Sequence, residues 1–291
     1  MPERVAITHF TDPGCPWAYS AIPAHTVLRW RYGEGLDWRL VTIGLTEDAE
    51  QYVARGYTPA LAALVATRFR RFGMPFLAAV RERMIATSRG CRAIVATRLA
   101  HPGREHDALR ALQLAWFNTS LLLDEDAALA EALSRVAGID APAVVGAIDD
   151  PQTLAAYESD RELARSAAGG PTEYQRKARQ TDGPVRFSAP SLVFQVDGTR
   201  LEAGGFQPLE AYDLAVANLG ARPQRREPAE DPLAALHAFP SGLVTQEVAA
   251  IMAPNNVAPD RAAAEVALLQ LVGEGTARRI PLGDDALWLA A

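Results

Sequence analysis

The chain is poor in cysteine and in lysine. Cys15 and Cys91 are its two cysteines among 291 residues, and Lys177 is its one lysine, so arginine carries nearly all the positive charge. The two cysteines are far apart in sequence, and the five histidines show no metal-ligand spacing. The sequence therefore predicts no metal site, and in a reducing compartment the two cysteines are expected to be free thiols.

Long hydrophobic runs and an excess of basic residues are also missing. No segment has the length of a transmembrane helix, and the first residues enter a strand-like run without the pattern of a signal peptide. We therefore expect a cytoplasmic protein. The net charge of -6 disfavours nucleic acid or an anionic membrane as a partner. Hydrophobic residues make up 49%, enough for a sizeable core without cross-links.

The first 45 residues have the pattern of a strand, a helix and a second strand. Residues 5–10 form a short apolar run that ends in a turn sequence. A helix is predicted over residues 16–32, and Pro23 is expected to kink it because proline removes a backbone donor. Residues 38–43 alternate like a strand. Short links between these elements predict that the two strands are parallel.

The middle of the chain is helical, and strands return after it. Five segments carry apolar residues every three or four positions: 61–72, 91–100, 105–118, 125–136 and 153–167. Strands are then predicted over 191–196 and 199–202, joined by Asp197-Gly198, a two-residue hairpin sequence. A helix follows over 208–219. Without the middle helices, the order is βαβ followed by ββα, which is the order of a thioredoxin fold.

The last part of the chain has the pattern of a small appended domain. Three helices, with Thr245 and Asp260 as expected caps, precede a hairpin around residues 283–285, an order that resembles a winged helix-turn-helix. From residue 230 onwards, eight acidic and three basic side chains give a net charge of -5. Because phosphate contacts need basic side chains, packing or dimerisation is favoured over DNA binding.

The predicted fold is therefore α/β, a thioredoxin fold with a large all-helical insertion and a small C-terminal winged-helix-like domain. The predicted division is a thioredoxin-like domain over 1–45 and 183–220, a helical insertion over 46–182, a linker over 221–231 and the appended domain over 232–291.

Cys15 is the candidate catalytic residue. It stands just after a predicted strand and just before a helix that starts at Pro16. Unpaired N–H groups and the helix dipole favour a thiolate at such a place, so we expect a lowered pKa and a nucleophilic sulfur. Pro16 and Trp17 are expected to leave the sulfur at the edge of an apolar surface. The alternative is a plain buried cysteine without a chemical role.

These residues resemble the active site of the DsbA-like family, in particular its cytoplasmic branch with the motif Asp-Pro-x-Cys-Pro-Trp-Cys. The matching positions are Asp12, Pro13, Cys15, Pro16 and Trp17, and Ala18 stands where the family has its second cysteine. The resemblance covers about residues 4–219 and includes the helical insertion. It implies a thiol–disulfide oxidoreductase.

A second match lies at residues 187–194. The resemblance implies that Pro190 is a cis-proline facing the active cysteine, and that the backbone of Ala189 binds a substrate chain by strand-like pairing. An ordinary edge-strand proline is the alternative. The predicted substrate-binding set is Pro16, Trp17, Ala18, Ala189 and Pro190.

The missing second cysteine decides the predicted mechanism. In a Cys-x-x-Cys enzyme the second thiol attacks the mixed disulfide and releases the substrate, which Ala18 cannot do. Turnover then needs glutathione or another low-molecular-weight thiol as co-substrate, with no bound cofactor. The internal candidate for a resolving thiol is Cys91. The expected partners are protein disulfides or small thiols, and a homodimer is part of the prediction.

Three functions remain open at this point. The first is a monothiol-type thiol–disulfide oxidoreductase or isomerase with Cys15 as nucleophile. The second is a glutathione-linked enzyme, because kappa-class transferases and 2-hydroxychromene-2-carboxylate isomerases resemble this chain in architecture. These enzymes usually carry serine at the position of Cys15, which favours the redox function. The third is a non-catalytic binding module of the same fold.

Overall fold

The computed structural model describes residues 4–181, 183–221 and 223–291; the other positions of the predicted domains, namely 1–3, 182 and 222, lie outside the described residues. The strands are β1 Val5–Thr11, β2 Leu36–Thr42, β3 Ser191–Val196, β4 Thr199–Ala203, β5 Leu243–Val244, β6 Ala277–Leu282 and β7 Asp285–Ala290. The helices are α1 Pro16–Ser20, α2 Ile22–Tyr32, α3 Glu50–Ala54, α4 Pro59–Thr67, α5 Ser88–Ala100, α6 Glu105–Asn118, α7 Asp126–Leu133, α8 Ala141–Gly146, α9 Pro151–Ala164, α10 Pro171–Tyr174, α11 Leu209–Asn218, α12 Pro232–Ala238, α13 Thr245–Met252 and α14 Arg261–Gly273.

The central sheet has the strand order β2-β1-β3-β4. β1 and β2 are parallel, β3 is antiparallel to β1, and β4 is antiparallel to β3. Asp197 and Gly198 join β3 to β4 with φ angles of 44° and 78°. Two positive φ angles are what a two-residue turn of type I′ requires. The predicted parallel pair, the hairpin and the thioredoxin order are confirmed.

The first predicted helix is broken rather than kinked. α1 ends at Ser20 and α2 starts at Ile22, with Ala21 between them. The N–H of Ala21 still bonds to the carbonyl of Trp17, 3.1 Å away. Pro23 lies in the first turn of α2, where its missing N–H leaves no helical bond unmade. The proline thus marks the start of a new helix.

The insertion is helical as predicted, with shifted bounds. α6 has its predicted bounds. Its buried apolar residues form one cluster with those of α5, α7 and α8. The predicted helix over 61–72 instead begins at Pro59, after the cap Thr58, and ends at Thr67. A 3₁₀ turn, Arg70–Phe72, follows. None of the helices in the described ranges has the length and apolar composition needed to cross a membrane.

The C-terminal unit contains three helices followed by the β6–β7 hairpin, in the predicted order. β5 adds a third strand by pairing with β7. Asp260 caps α14 through a 2.9 Å bond from the N–H of Ala263, as predicted. The prediction that Thr245 caps α13 is wrong, because its hydroxyl is used elsewhere: it donates to Asp285 and accepts from the indole of Trp288.

The C-terminal unit packs directly on α2. Val27 and Trp30 of α2 belong to the same apolar cluster as Leu236 and Val248 of that unit. The segment predicted to be a linker runs along the same helix, since the indole of Trp30 donates to the carbonyl of Glu227 at 2.8 Å. This segment is therefore held by packing and hydrogen bonds.

Candidate active site

Cys15 lies where the sequence predicts, directly before α1. Its backbone N–H donates to the carbonyl of Asp12 at 3.2 Å, which closes the turn after β1. Its Sγ donates to the carbonyl oxygen of Ala189 at 3.3 Å. The peptide bond between Ala189 and Pro190 is cis. The predicted cis-proline is confirmed, and the fold brings it beside the cysteine across 174 residues of sequence.

The surroundings of Cys15 are apolar. The residue is 6% exposed and packs in a cluster with Phe10, Phe187 and Ala189. The Cys15 sulfur is therefore more buried than the predicted position at the edge of an apolar surface. In the conformation described, the sulfur is covered on nearly every side.

Burial decides the pKa of the Cys15 thiol. Removal from water disfavours the thiolate and raises this pKa from 9.0 to about 12, and the carboxylate of Asp12 raises it further. Hydrogen bonds from the N–H groups of Ala18 and Trp17 lower it, as the position at a helix start predicts, but by less. The prediction of a lowered pKa is wrong for this conformation because desolvation exceeds the effect of the helix end.

Asp12 has contacts around the cysteine loop that the sequence does not reveal. Its buried carboxylate accepts hydrogen bonds from the N–H groups of Gly14 and Leu45, each at 2.9 Å, and from the hydroxyl of Thr87 at 2.9 Å. Burial raises the pKa of Asp12, while these bonds lower it. One side chain thus joins the cysteine loop to the segment after β2 and to the start of α5. The sequence shows Asp12 as a motif residue in a turn and does not indicate these distant partners.

Gly14 allows the insertion to approach the cysteine loop. A Cβ at this position would lie 2.6 Å from a methyl carbon of Thr87 and 2.8 Å from the ring of Trp116. Real Cβ atoms do not come so close, so a side chain at position 14 would push the insertion away.

Trp17 is the exposed aromatic residue beside the cysteine. It is 40% exposed, and its ring centroid lies 4.9 Å from that of Phe69, 5.6 Å from Phe72 and 5.5 Å from Phe206. We call these four rings the aromatic rim. Two of them belong to the insertion and one follows β4, so the rim joins parts of the chain that are distant in sequence.

A cavity of about 340 Å³, the apolar cavity, lies between the cysteine loop and the insertion. Gly14, Pro16 and Trp17 line it on the side of the loop, and Tyr52 and Trp116 line it on the side of the insertion. It is within the size range of small-molecule sites and is lined mainly by apolar atoms.

Ala18 points away from the apolar cavity. It is 2% exposed and lines a second cavity on the other side of α1. The predicted substrate-binding set is therefore split: Pro16 and Trp17 line the apolar cavity, Ala189 and Pro190 lie at the sulfur, and Ala18 lies in the buried cluster of Cys15 and lines the second cavity.

Cys91 lies in the first turn of α5 and is fully buried beside Val95 and Tyr157. Its Sγ donates to the carboxylate of Asp12 at 3.5 Å. Both cysteines are free thiols. Burial and the nearby Asp12 hold the pKa of Cys91 well above its usual range. Its role as a resolving thiol stays a prediction.

The chain is similar to known proteins in its three-dimensional structure. No protein-family model and no curated protein sequence matches the chain. The cytosolic disulfide reductase DsbM from Pseudomonas aeruginosa is 18% identical and covers 74% of this chain and 100% of its own, with a TM-score of 0.54. Its structure with GSH has the same identity and coverage and a TM-score of 0.52. A probable DsbA oxidoreductase from Streptomyces coelicolor is 15% identical, covers 78% and 93%, and has a TM-score of 0.55.

The sheet order, the inserted helices and the cysteine opposite a cis-proline define a thioredoxin-fold protein with a helical insertion. Within that class, this chain has the DsbA-like fold, shared with DsbM and the Streptomyces protein. The predicted resemblance is confirmed at the level of the fold.

Proposed function

We propose that the protein is a thiol–disulfide oxidoreductase of the monothiol type, with Cys15 as nucleophile. The contact between the Sγ of Cys15 and the carbonyl of Ala189, directly before the cis peptide of Pro190, is the observation that carries this proposal. An extended substrate that pairs with the backbone at Ala189 would bring its disulfide to this sulfur. The shared fold with a disulfide reductase and a DsbA oxidoreductase supports it.

The proposed reaction has two exchange steps. The Cys15 thiolate attacks one sulfur of a substrate disulfide; a bond to Sγ forms, the substrate S–S bond breaks, and the released thiolate takes up a proton. A small thiolate, such as that of glutathione, then attacks the mixed disulfide. Cys15 leaves as thiolate, and the substrate sulfur is bound to glutathione, so the electron pairs balance. Ala18 cannot supply this second step, so the resolving thiol has to come from a small molecule or from elsewhere in the chain.

Exposure of the sulfur must precede the first step. With a pKa of about 12, the buried Cys15 thiol is almost entirely protonated at neutral pH. When substrate displaces the bond to Ala189 and opens the apolar packing, the desolvation that raises the pKa is reduced. The N–H groups of Trp17 and Ala18 remain to stabilise the thiolate. Substrate binding and thiol activation are thus coupled in this proposal.

The co-substrate and the compartment belong to the same proposal. We propose glutathione or a similar small thiol, acting in the cytoplasm, with protein disulfides or small disulfides as substrates. A structure of DsbM, which shares the fold, is described as containing GSH. Cys91 is kept as the alternative resolving thiol, and a homodimer remains a prediction.

A coupled assay tests the proposal. Reduction of hydroxyethyl disulfide by glutathione, followed through glutathione reductase and NADPH, should depend on glutathione and be lost in Cys15→Ser. Cys91→Ser is the matched control and should retain the activity, since the Cys91 sulfur bonds to Asp12 and lies in a different apolar cluster from Cys15 and Ala189. Activity that persists in Cys15→Ser would contradict the proposal, as would a wild-type protein that forms no mixed disulfide at Cys15.

The apolar cavity favours one second candidate, a glutathione-linked transferase or isomerase. Its aromatic walls, which include Trp17 and Trp116, would accept an apolar electrophile next to Cys15. Conjugation of glutathione to 1-chloro-2,4-dinitrobenzene, without disulfide reduction, would favour this function over the first.

A further inference from the structure

Three histidines from different parts of the chain meet in the interior. His9 of β1 lies with its ring centroid 4.8 Å from that of His25 on α2 and 6.3 Å from that of His106 on α6. Trp38 of β2 lies about equally close to all three, with centroid distances of 6.1, 6.1 and 6.2 Å. We call these three histidines the histidine cluster. Their positions in the sequence give no indication that they come together.

The histidine cluster lines a cavity of about 730 Å³, here called the histidine cavity. His9 and Trp38 form its floor on the central sheet, and Arg29 of α2 stands at one side. The loop after α12, with Phe239 and Ser241, closes it from the C-terminal unit. Its volume is in the range of small-molecule sites. Among the site residues predicted from the sequence, Ala18 is the one that lines the histidine cavity.

Four histidine nitrogens in the walls lack protein partners. Within the described ranges, neither ring nitrogen of His9 has a hydrogen-bond partner, and neither does the Nε2 of His25 or of His106. His9 is 5% exposed and His25 is 6% exposed. A buried polar group without a partner is unfavourable, so several of them around one cavity indicate a site that a polar ligand completes.

The charges in the walls identify the sign of the ligand. Arg104 is paired with Asp107 at 2.8 Å, and Arg110 with Glu247 at 2.6 Å. Arg29 differs: the charges of Asp107 and Glu105 act on it through space, but no carboxylate in the described part of the chain forms an ion pair with it. Its guanidinium instead stacks on the ring of Trp38, 4.2 Å from the centroid. A guanidinium that forms no ion pair with the described residues favours an anion.

The histidines add hydrogen bonds rather than charge. Burial lowers the pKa of His25 to about 3 and holds those of His9 and His106 well below the usual range, and the Arg29 guanidinium lowers each of them further. The imidazoles are therefore neutral, and each can donate one N–H. No group of three or more His, Cys, Asp or Glu residues in the described ranges has the arrangement of a metal site. An anion suits this cavity better than a metal cation.

We propose that the histidine cavity binds a small organic carboxylate with an apolar body. The carboxylate pairs with the guanidinium of Arg29, whose planar fork matches its two oxygens. The imidazoles of the cluster donate to the same oxygens. The apolar body packs against Trp30, Leu109 and Phe239, which also line the cavity. The C-terminal unit thereby acquires a function, because its loop forms one wall of the site.

Phenylacetate and its neutral analogue phenylacetamide are the probes for this site. Phenylacetate should cause saturable shifts of the imidazole signals of His9, His25 and His106 in the NMR spectrum of the full chain. Phenylacetamide should bind at least about tenfold more weakly, because it carries no charge for Arg29. Equal binding of the two would overturn the proposal, and so would the absence of saturable shifts with both phenylacetate and the longer indole-3-acetate.

Variants separate this site from Cys15. Arg29→Gln should weaken phenylacetate binding by about tenfold or more, whereas Arg39→Gln, which changes an exposed arginine on the neighbouring strand, should leave it unchanged. Cys15→Ser should also leave it unchanged, so this site can fail or succeed independently of the thiol chemistry. Unchanged binding in a folded Arg29→Gln would overturn the proposal. If that variant does not fold, the comparison of acid and amide on the wild-type protein decides.

Discussion

The thiol of Cys91 donates a hydrogen bond to the carboxylate of Asp12 at 3.5 Å, across 79 residues of sequence. The backbone carbonyl of the same Asp12 accepts the N–H of Cys15. One aspartate is thus in contact with both cysteines of the chain. Because it is buried and negatively charged, it opposes the formation of a thiolate at either of them.

Asp12→Asn should make Cys15 more reactive. The variant removes a negative charge that raises the pKa of Cys15, so the pH profile of alkylation by iodoacetamide should move to lower pH. Loss of acceptors for buried donors should lower the free energy of unfolding by about 1–3 kcal/mol. Asp37→Asn, on the exposed side of β2, is the control and should do neither. An unchanged alkylation profile would show that Asp12 does not act on Cys15.

Cys15 should make the stability of the protein fall at alkaline pH. Its pKa is about 12 in the fold and 9.0 as the reference value, so the fold favours the protonated thiol. This contribution is fully present below pH 9.0 and is lost as the pH rises toward about 12. Between about pH 8 and pH 10.5, urea unfolding should show a steeper loss for the wild type than for Cys15→Ala, by about 2 kcal/mol. Parallel curves for the two proteins would contradict the raised pKa.

Trp17→Ala should weaken the aromatic rim. Each aromatic pair contributes about 0.5–1.5 kcal/mol, and three Phe rings contact Trp17, so we expect a loss of about 1–3 kcal/mol in the free energy of unfolding. If the rim binds substrate, the KM for a hydrophobic peptide disulfide should rise several-fold more than that for hydroxyethyl disulfide. Tyr174→Ala, at an aromatic residue that is 80% exposed, serves as the control. An equal change in both KM values would assign the rim a structural role only.

Glu247→Gln should loosen the joint between the C-terminal unit and the rest of the chain. Glu247 is fully buried; it pairs with Arg110 of α6 and accepts a 2.6 Å bond from Thr26 of α2. Without its charge, Arg110 stays buried without a counter-charge, and we expect a loss of about 3–5 kcal/mol by thermal or urea unfolding. Glu274→Gln, on the surface, should change stability by less than about 0.5 kcal/mol. A small effect at Glu247 would mean that the joint depends on apolar packing alone.

Ala18→Cys should turn the site into a dithiol. Positions 15 and 18 lie at the start of one helix, and the cavity beside Ala18 leaves room for a sulfur atom. On oxidation by glutathione disulfide, the variant should lose the mass of two hydrogens, whereas the wild type should gain one glutathionyl group at Cys15. If the wild type instead loses two hydrogens and the Cys91→Ser variant does not, Cys91 is the resolving thiol.

Much of the fold can be predicted because its determinants are local. Asp197-Gly198 specifies its turn by itself, since both residues tolerate a positive φ, and the apolar period over 105–118 gives the bounds of α6 correctly. Thr245 shows where prediction from local sequence fails. A threonine before a helix is a good cap by local rules, but its hydroxyl is engaged by Asp285 and Trp288, which are 40 or more residues away.

The sequence alone determined the thioredoxin order and the position of Cys15 at a helix start, because strand, turn and helix patterns extend over a few residues each. The proline opposite Cys15 was implied only by the resemblance to the DsbA-like family. Only the tertiary structure decided the ionisation of that cysteine and the existence of the histidine cavity. Both depend on which groups distant in sequence exclude water or carry charge: Phe187 around Cys15, and Arg29 and His106 around His9. Desolvation and charge act through space, and the order of residues along the chain does not contain those distances.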